Sequence, residues 1–150
     1  MTETTARSVH ASAVLLGARA LLIRGPAGAG KSRLVLGLLQ MPDTRVAFAR
    51  LVADDRTLLE AIHGRLLARP APELAGLLEV RGLGICRLPY EPVAVISRVV
   101  DLAADDATRL PDDVARTTTV NGIQLPRLAL AATADPLAVV VASLTTDGGY

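Results

Sequence analysis

At 150 residues and 51% apolar side chains, the chain is long enough to bury a real core and too apolar for extensive disorder. A formal net charge of +1, with one Phe, two Tyr and no Trp, supplies neither the single-sign field nor the stacking platforms that nucleic-acid binding uses. The single cysteine, Cys86, excludes an intrachain disulfide and fits a reducing compartment. Residues 1–7 read as a polar tail lacking the basic and apolar regions of a signal peptide. No apolar run reaches the ~18 residues of a membrane helix, and the longest candidate, 128–144, is broken by Asp135-Pro136. One cytoplasmic domain without a membrane span is the expectation.

In chain order, 8–16 reads as a strand, Gly17-Ala18 as a two-residue turn and 19–24 as a second strand. Pairing Leu16 with Arg19 sets each antiparallel pair to a sum of 35, which puts His10 opposite Gly25. The motif Gly25-Pro26-Ala27-Gly28-Ala29-Gly30-Lys31-Ser32 follows, with the spacing of a phosphate-binding loop. Its glycines let backbone N–H groups close around phosphate oxygens, the lysine reaches the β- and γ-phosphates, and the serine hydroxyl can ligate Mg²⁺. Of sixteen basic residues Lys31 is the one lysine, a compact ammonium where the loop uses a point charge. Leu34, Leu38 and Met41 recur at helical spacing, so the helix N-terminus faces the anion.

Pro42-Asp43-Thr44 breaks the chain, and 45–53 is an apolar strand ending in Asp54-Asp55. Carboxylates at a strand end beside a phosphate loop can hold Mg²⁺ or take a proton from an attacking hydroxyl. Adjacent residues of a strand face opposite ways, though both can turn toward the site at its end. A hairpin is expected over 57–62 and 65–68 around His63-Gly64, followed by the break Pro70-Ala71-Pro72 and a short helical or irregular lead-in over 73–78. If the start of 78–85 is extended, Glu79 and Arg81 share a face, and Gly82 and Gly84 let the backbone bend. Strand 93–102 and an acidic loop, 105–113, come next, then short strands over 120–125 and 128–132 around Pro126-Arg127. Residues 136–144 form a strand or helix whose β-branched valines favour strand. Residues 145–150 read as frayed. One long helix among eight strands makes an α/β fold poor in helix for a phosphate-loop protein.

Taken together, Val9-His10-Ala11, Gly25 to Ser32, Leu51-Val52-Ala53-Asp54-Asp55 and Leu78-Glu79-Val80-Arg81-Gly82-Leu83-Gly84-Ile85 resemble, in order, the catalytic domain of HPr kinase/phosphorylase. The last segment resembles that family's most diagnostic signature, and the likeness spans roughly residues 8 to 144. The resemblance implies a strand-rich P-loop fold akin to phosphoenolpyruvate carboxykinase. It also implies ATP and Mg²⁺ as cofactors and, as partner, an HPr-like phosphocarrier whose serine is phosphorylated, with phosphorolysis in reverse. It assigns His10 as the active-site histidine, Lys31 as the phosphate-binding lysine and Asp55 as the proton acceptor. Ser32 and Glu79 become Mg²⁺ ligands beside Asp54, Arg81 belongs to the signature, and Arg109 matches a catalytic arginine. The chain resembles the family's short form, without the N-terminal domain of longer members. It departs at Arg33, where the family has an acid, and around Arg109 at Thr108 and Pro111. The stretch Gln124-Leu125-Pro126-Arg127, tied to phosphorolysis in the family, is only loosely similar, and homo-oligomer formation stays open. Two alternatives remain at this level: a small-molecule kinase, which usually adds an arginine-bearing lid, and a nucleotide-sensing protein without turnover.

Overall fold

A computed structural model describes residues 6–41, 48–107 and 115–145. In chain order the elements are β1 (Arg7–Val9), β2 (Ala11–Leu16), β3 (Arg19–Arg24), α1 (Lys31–Gln40), β4 (Ala49–Ala53), β5 (Thr57–Ile62) and β6 (Arg65–Pro70). A short 3-10 turn (Pro72–Leu74) leads to β7 (Leu77–Val80), β8 (Gly84–Arg87), β9 (Ala94–Asp101), β10 (Thr117–Val120), β11 (Ile123–Ala129) and α2 (Pro136–Thr145). The main sheet has nine strands, running β1-β5-β6-β9-β3-β2-β4, with β11 also on β9 and β10 on β11. Strands β7 and β8 form a separate hairpin. Most pairs are antiparallel; β3 and β11 each run parallel to β9. The expected α/β class, rich in strand and poor in helix, is what the chain adopts.

Alternation along the strands divides the core in two. Ala13, Leu22, Leu59, Leu66, Ile96, Val99 and Leu125 gather on one face, to which no helix contributes. The sheet curls so that its own strands enclose that face. Val14, Leu21, Ile23, Leu51 and Val100 point the other way, where Leu34, Val35 and Leu38 of α1, Leu78 of β7 and Val140 of α2 cover them. At Gly37 the two helices nearly touch: a Cβ there would lie 2.9 Å from Leu137 Cδ2, so the approach depends on the missing side chain.

The β2–β3 register carries the predicted sum of 35, from Leu16↔Arg19 to Ala11↔Arg24, and the hairpin around His63-Gly64 forms as expected. Other expectations change. Arg7, assigned to the tail, pairs with Leu59 in β1. The strand expected over 8–16 splits at His10, because Val9 pairs with Thr57 of β5 whereas Ala11 pairs with Arg24 of β3. The ladder therefore stops one pair short of His10 and Gly25. The 78–85 segment is a hairpin, since Gly82 and Gly84 take φ of 87° and 102°; Arg81 lies in the turn and does not share a strand face with Glu79.

Pro126-Arg127 lies inside β11, not between two strands. The turn is instead Asn121-Gly122, both residues having positive φ as a tight hairpin requires. Pro126 is tolerated because β11 joins β9 only from Arg127 onward. Residues 136–144, expected to favour strand, are helical. Asp135 accepts the Ala138 N–H at 3.4 Å, Pro136 fills the first helical position, and the valines pack on α1. Two ten-residue helices are thus described where one was expected. Among the described residues no helix is long and apolar enough to cross a membrane, a statement that does not extend to β-barrels. The break at 42–44, Arg109 with most of the acidic loop, and the end of the chain lie outside the described residues.

Candidate active site

Strand β3 runs straight into the loop, and α1 starts at Lys31 with Gly30 at its N-cap, φ 100°. The strand–loop–helix context required of a phosphate loop is therefore present, with the N-terminus of α1 opening onto it. Lys31 is buried and folds back on the loop, its Nζ donating to the carbonyls of Gly25 at 2.8 Å and Pro26 at 3.2 Å. Ala27 to Ser32 line an open cleft of about 1200 Å³ together with His10, Arg33, Asp55, Glu79, Arg81 and the stretch around Ala131 to Leu137.

The two adjacent acids are separated by a fold-level irregularity. Val14 pairs with Leu51, yet Ala13 pairs with Ala53, so Val52 is an extra residue in β4. Without that bulge the register would bring Asp54 opposite Ala11, on the face enclosed by the curled sheet. With it, Asp54 comes opposite Ser12 on the face that carries α1. Asp54 is only 6% exposed. Its Oδ1 accepts from Ser12 Oγ at 2.8 Å, Ser32 Oγ lies 2.8 Å from both of its oxygens, and the Glu79 N–H reaches Oδ2 at 3.4 Å. Asp55 leaves the strand at φ 66°, and its side chain, 66% exposed, turns to the imidazole that β1 and β2 leave between them. His10 Nε2 lies 2.6 Å from Asp55 Oδ1. A staple from Thr57 Oγ1 to the Ala11 carbonyl, at 2.8 Å, fixes the entry of β5 against that of β2 and holds the pair together.

The structure thus gathers His10, the loop, Asp54, Asp55, Glu79 and Arg81 at one end of the sheet. Arg109 lies outside the described residues. For the cation, the available donors are the Ser32 hydroxyl and the carboxylates of Asp54 and Glu79, all hard oxygen ligands of the kind Mg²⁺ takes. No group of three or more His, Cys, Asp or Glu side chains placed to hold a metal occurs among the described residues.

Two features escaped the sequence. Ser12 is a polar residue in an otherwise apolar strand, and that was its one visible signal. The other is a charge network at the root of the loop. Asp101 accepts two bonds from Arg24, at 2.7 and 2.8 Å, and a third from Arg127, which also grips both oxygens of Asp106 at 2.7 and 2.9 Å. Burial pushes the Asp101 carboxyl up, but hydrogen bonds and charge from Arg24 and Arg127 outweigh it and hold the group below its ordinary range. Asp106 is lowered chiefly by its bonds to Arg127, whose own affinity for the proton rises in turn. Arg127 is therefore a tether between β9, β11 and the loop after β9, and Leu102 N–H closes on the Arg24 carbonyl at 2.8 Å directly beneath Gly25.

A curled, strand-rich sheet with a phosphate loop, two acids and a histidine at its end defines a P-loop kinase-like fold. Residues 2–90 match the family described as the HPr Serine kinase C-terminal domain, and the chain belongs to that family. It is 41% identical over 69 residues to the HPr kinase/phosphorylase of Clostridium tetani, an alignment covering 46% of this chain and 21% of that protein. It is 42% identical over 79 residues to that of Streptococcus thermophilus, covering 52% and 24%. The chain spans only about a quarter of the length of the curated relatives it matches, between 21% and 25%. Its fold is similar to the Hpr(Ser) kinase/phosphatase from Coxiella burnetii, with a TM-score of 0.73 and 22% identity over 92% of this chain and 93% of that one.

Proposed function

We propose that this chain is the catalytic centre of an ATP- and Mg²⁺-dependent kinase acting on a serine of an HPr-like phosphocarrier in a phosphotransferase system. The observation that supports this most is the division of labour between neighbouring acids: Asp54 is buried against the loop serine, and Asp55 is exposed to the cleft and hydrogen-bonded to His10. The loop amides and Lys31 hold the phosphates and cancel charge, which is most of the catalysis such a reaction needs. The serine Oγ attacks the γ-phosphorus; the new O–P bond forms as the bond to the β,γ-bridging oxygen breaks, and ADP departs. The serine proton passes to Asp55, which His10 Nε2–H orients while leaving Oδ2 free. Ser32, Asp54 and Glu79 would hold Mg²⁺, which would supply positive charge against that of the phosphates. Arg81, in the turn of the β7–β8 hairpin, lines the same cleft and adds positive charge. In the reverse direction inorganic phosphate takes the γ-position and attacks the phosphoserine phosphorus, and Asp55 returns a proton to the departing serine oxygen, giving pyrophosphate. The test is purified chain with γ-labelled ATP, Mg²⁺ and candidate phosphocarriers. Label on a carrier serine is expected; nucleotide bound with no transfer to any carrier would replace this reading with that of a nucleotide sensor.

A further inference from the structure

Ser12 is completely buried, does not line the cleft, and is the one hydroxyl in β2. Its two hydrogen bonds go to the two acids in different ways. It donates to the Asp54 carboxylate at 2.8 Å and accepts the backbone N–H of Asp55 at 3.1 Å. From these we infer that Ser12 is a positioning residue for both carboxylates, setting the Asp54 side chain for the cation and the Asp55 backbone for proton transfer. The inference rests on the reading of the site as a phosphoryl-transfer centre.

Asp54 is nearly sealed from water, so its carboxylate sits where its donors place it. Ser32 belongs to the phosphate loop and shares its hydroxyl with whatever the loop binds, and the Glu79 N–H is distant at 3.4 Å. Ser12 is the donor committed to Asp54 alone. The bulge at Val52 exists in the same register step, and its effect is to bring Asp54 across from this hydroxyl instead of Ala11. At Asp55 the need is different. A non-glycine residue at φ 66° occupies a sparsely populated conformation that surrounding contacts must enforce. The Arg56 N–H bond to the Asp54 carbonyl, at 2.7 Å, closes the turn from one side, and the Ser12–Asp55 N–H bond fixes it from the other. Without it the Asp55 carboxylate loses its fixed distance to His10 and to the substrate hydroxyl, and a misplacement near 1 Å costs about 10²-fold in rate.

The experiment compares wild type, Ser12→Ala, Asp55→Asn and the double variant. At saturating Mg²⁺, which removes the effect carried by Asp54, Ser12→Ala is expected to lower single-turnover transfer by about 10²-fold in the wild-type background and by less than about 3-fold in Asp55→Asn, because residues acting as a unit are non-additive. Calorimetry of Mg²⁺–nucleotide binding should show a several-fold higher Mg²⁺ requirement in Ser12→Ala, with metal-free nucleotide binding within two-fold. The Asp55 amide should exchange faster with solvent. A hydroxyl that merely fills the core would give equal losses in both backgrounds and an unchanged Mg²⁺ requirement; that result overturns the inference. If the wild type binds Mg²⁺–nucleotide yet transfers nothing, the functional reading fails separately, and the calorimetric and exchange results still decide whether Ser12 positions the acids. Should Ser12→Ala be isolated unfolded, Ser12→Cys keeps the volume with a weaker donor, and wild-type values in it would refute the assignment.

Discussion

Replacing Asp55 by Asn should slow phosphoryl transfer drastically while barely touching the fold. Asn tolerates the left-handed φ of 66° as well as Asp does and keeps its shape, so the backbone has no reason to move. The lost interaction in the folded protein is one exposed pair with His10, of a kind worth about 0.2–1 kcal/mol, which at this chain length shifts the melting temperature by no more than ~4 °C. Removing the proton acceptor costs about 10²–10⁴ in rate, or roughly 3–5 kcal/mol of barrier. The kinetic effect therefore exceeds the stability effect several-fold. Asp54→Asn should show the opposite balance. Its amide would present N–H groups to a shell that already donates, and each buried donor left unmatched costs about 1–3 kcal/mol. That variant should melt markedly lower and need more Mg²⁺. Single-turnover transfer from γ-labelled ATP at saturating Mg²⁺, with nucleotide affinity and melting temperature measured alongside, separates the two. If Asp54→Asn proves the slower variant under saturation, or Asp55→Asn stays within a few-fold of wild type, the acids are assigned to the wrong roles.

Gly37→Ala places a methyl 2.9 Å from the end of the half-buried Leu137 side chain, which can shift, so the gain in stability should stay below the ~1 kcal/mol that helix propensity alone would give; a drop of more than about 1 kcal/mol would mean that Leu137 is held fixed between the two helices. The depressed Asp101 carboxyl stabilises the fold fully above its unfolded value near ~3.9 and loses that contribution as pH falls through its lower folded value. Asp101→Asn should accordingly be less stable at neutral pH and show a flatter melting profile below about pH 4; identical slopes would mean the network contributes nothing. His10→Ala should slow phosphorolysis, followed as pyrophosphate release from a serine-phosphorylated carrier, more than it slows transfer from ATP, since His10 also borders the loop where free phosphate must be recruited; equal losses in the two directions would remove that distinction.

What could be read ahead of the structure was what neighbours in sequence decide. The phosphate loop, the Gly17-Ala18 turn with its register and the His63-Gly64 hairpin all follow from local turn chemistry and periodicity. The signals for α2 are local as well, Asp135 as cap and Pro136 at the first helical position, but they compete with the strand preference of the valine run, and packing on α1 tips the segment to helix. Asn121-Gly122 is likewise a local turn signal, both residues taking positive φ between β10 and β11. The separate environments of Asp54, buried against Ser12 and Ser32, and Asp55, exposed beside His10, could not be read locally. They depend on one extra residue in β4 relative to β2, and on a hydroxyl 42 positions away from its carboxylate. Arg127 was similarly opaque, since its partners Asp101 and Asp106 meet it only after β9 and β11 lie side by side.

The most direct measurement is transfer of labelled γ-phosphate to a phosphocarrier serine by the wild type and by Lys31→Ala. Lys31 is the one lysine in the chain, and its ammonium lies against the loop carbonyls of Gly25 and Pro26, so no other ammonium exists to replace it beside the phosphates. Labelled phosphoserine with the wild type, together with loss of transfer and weakened nucleotide binding in Lys31→Ala, is the predicted result. Transfer by Lys31→Ala within a few-fold of wild type would contradict the assignment of this loop as the phosphate site.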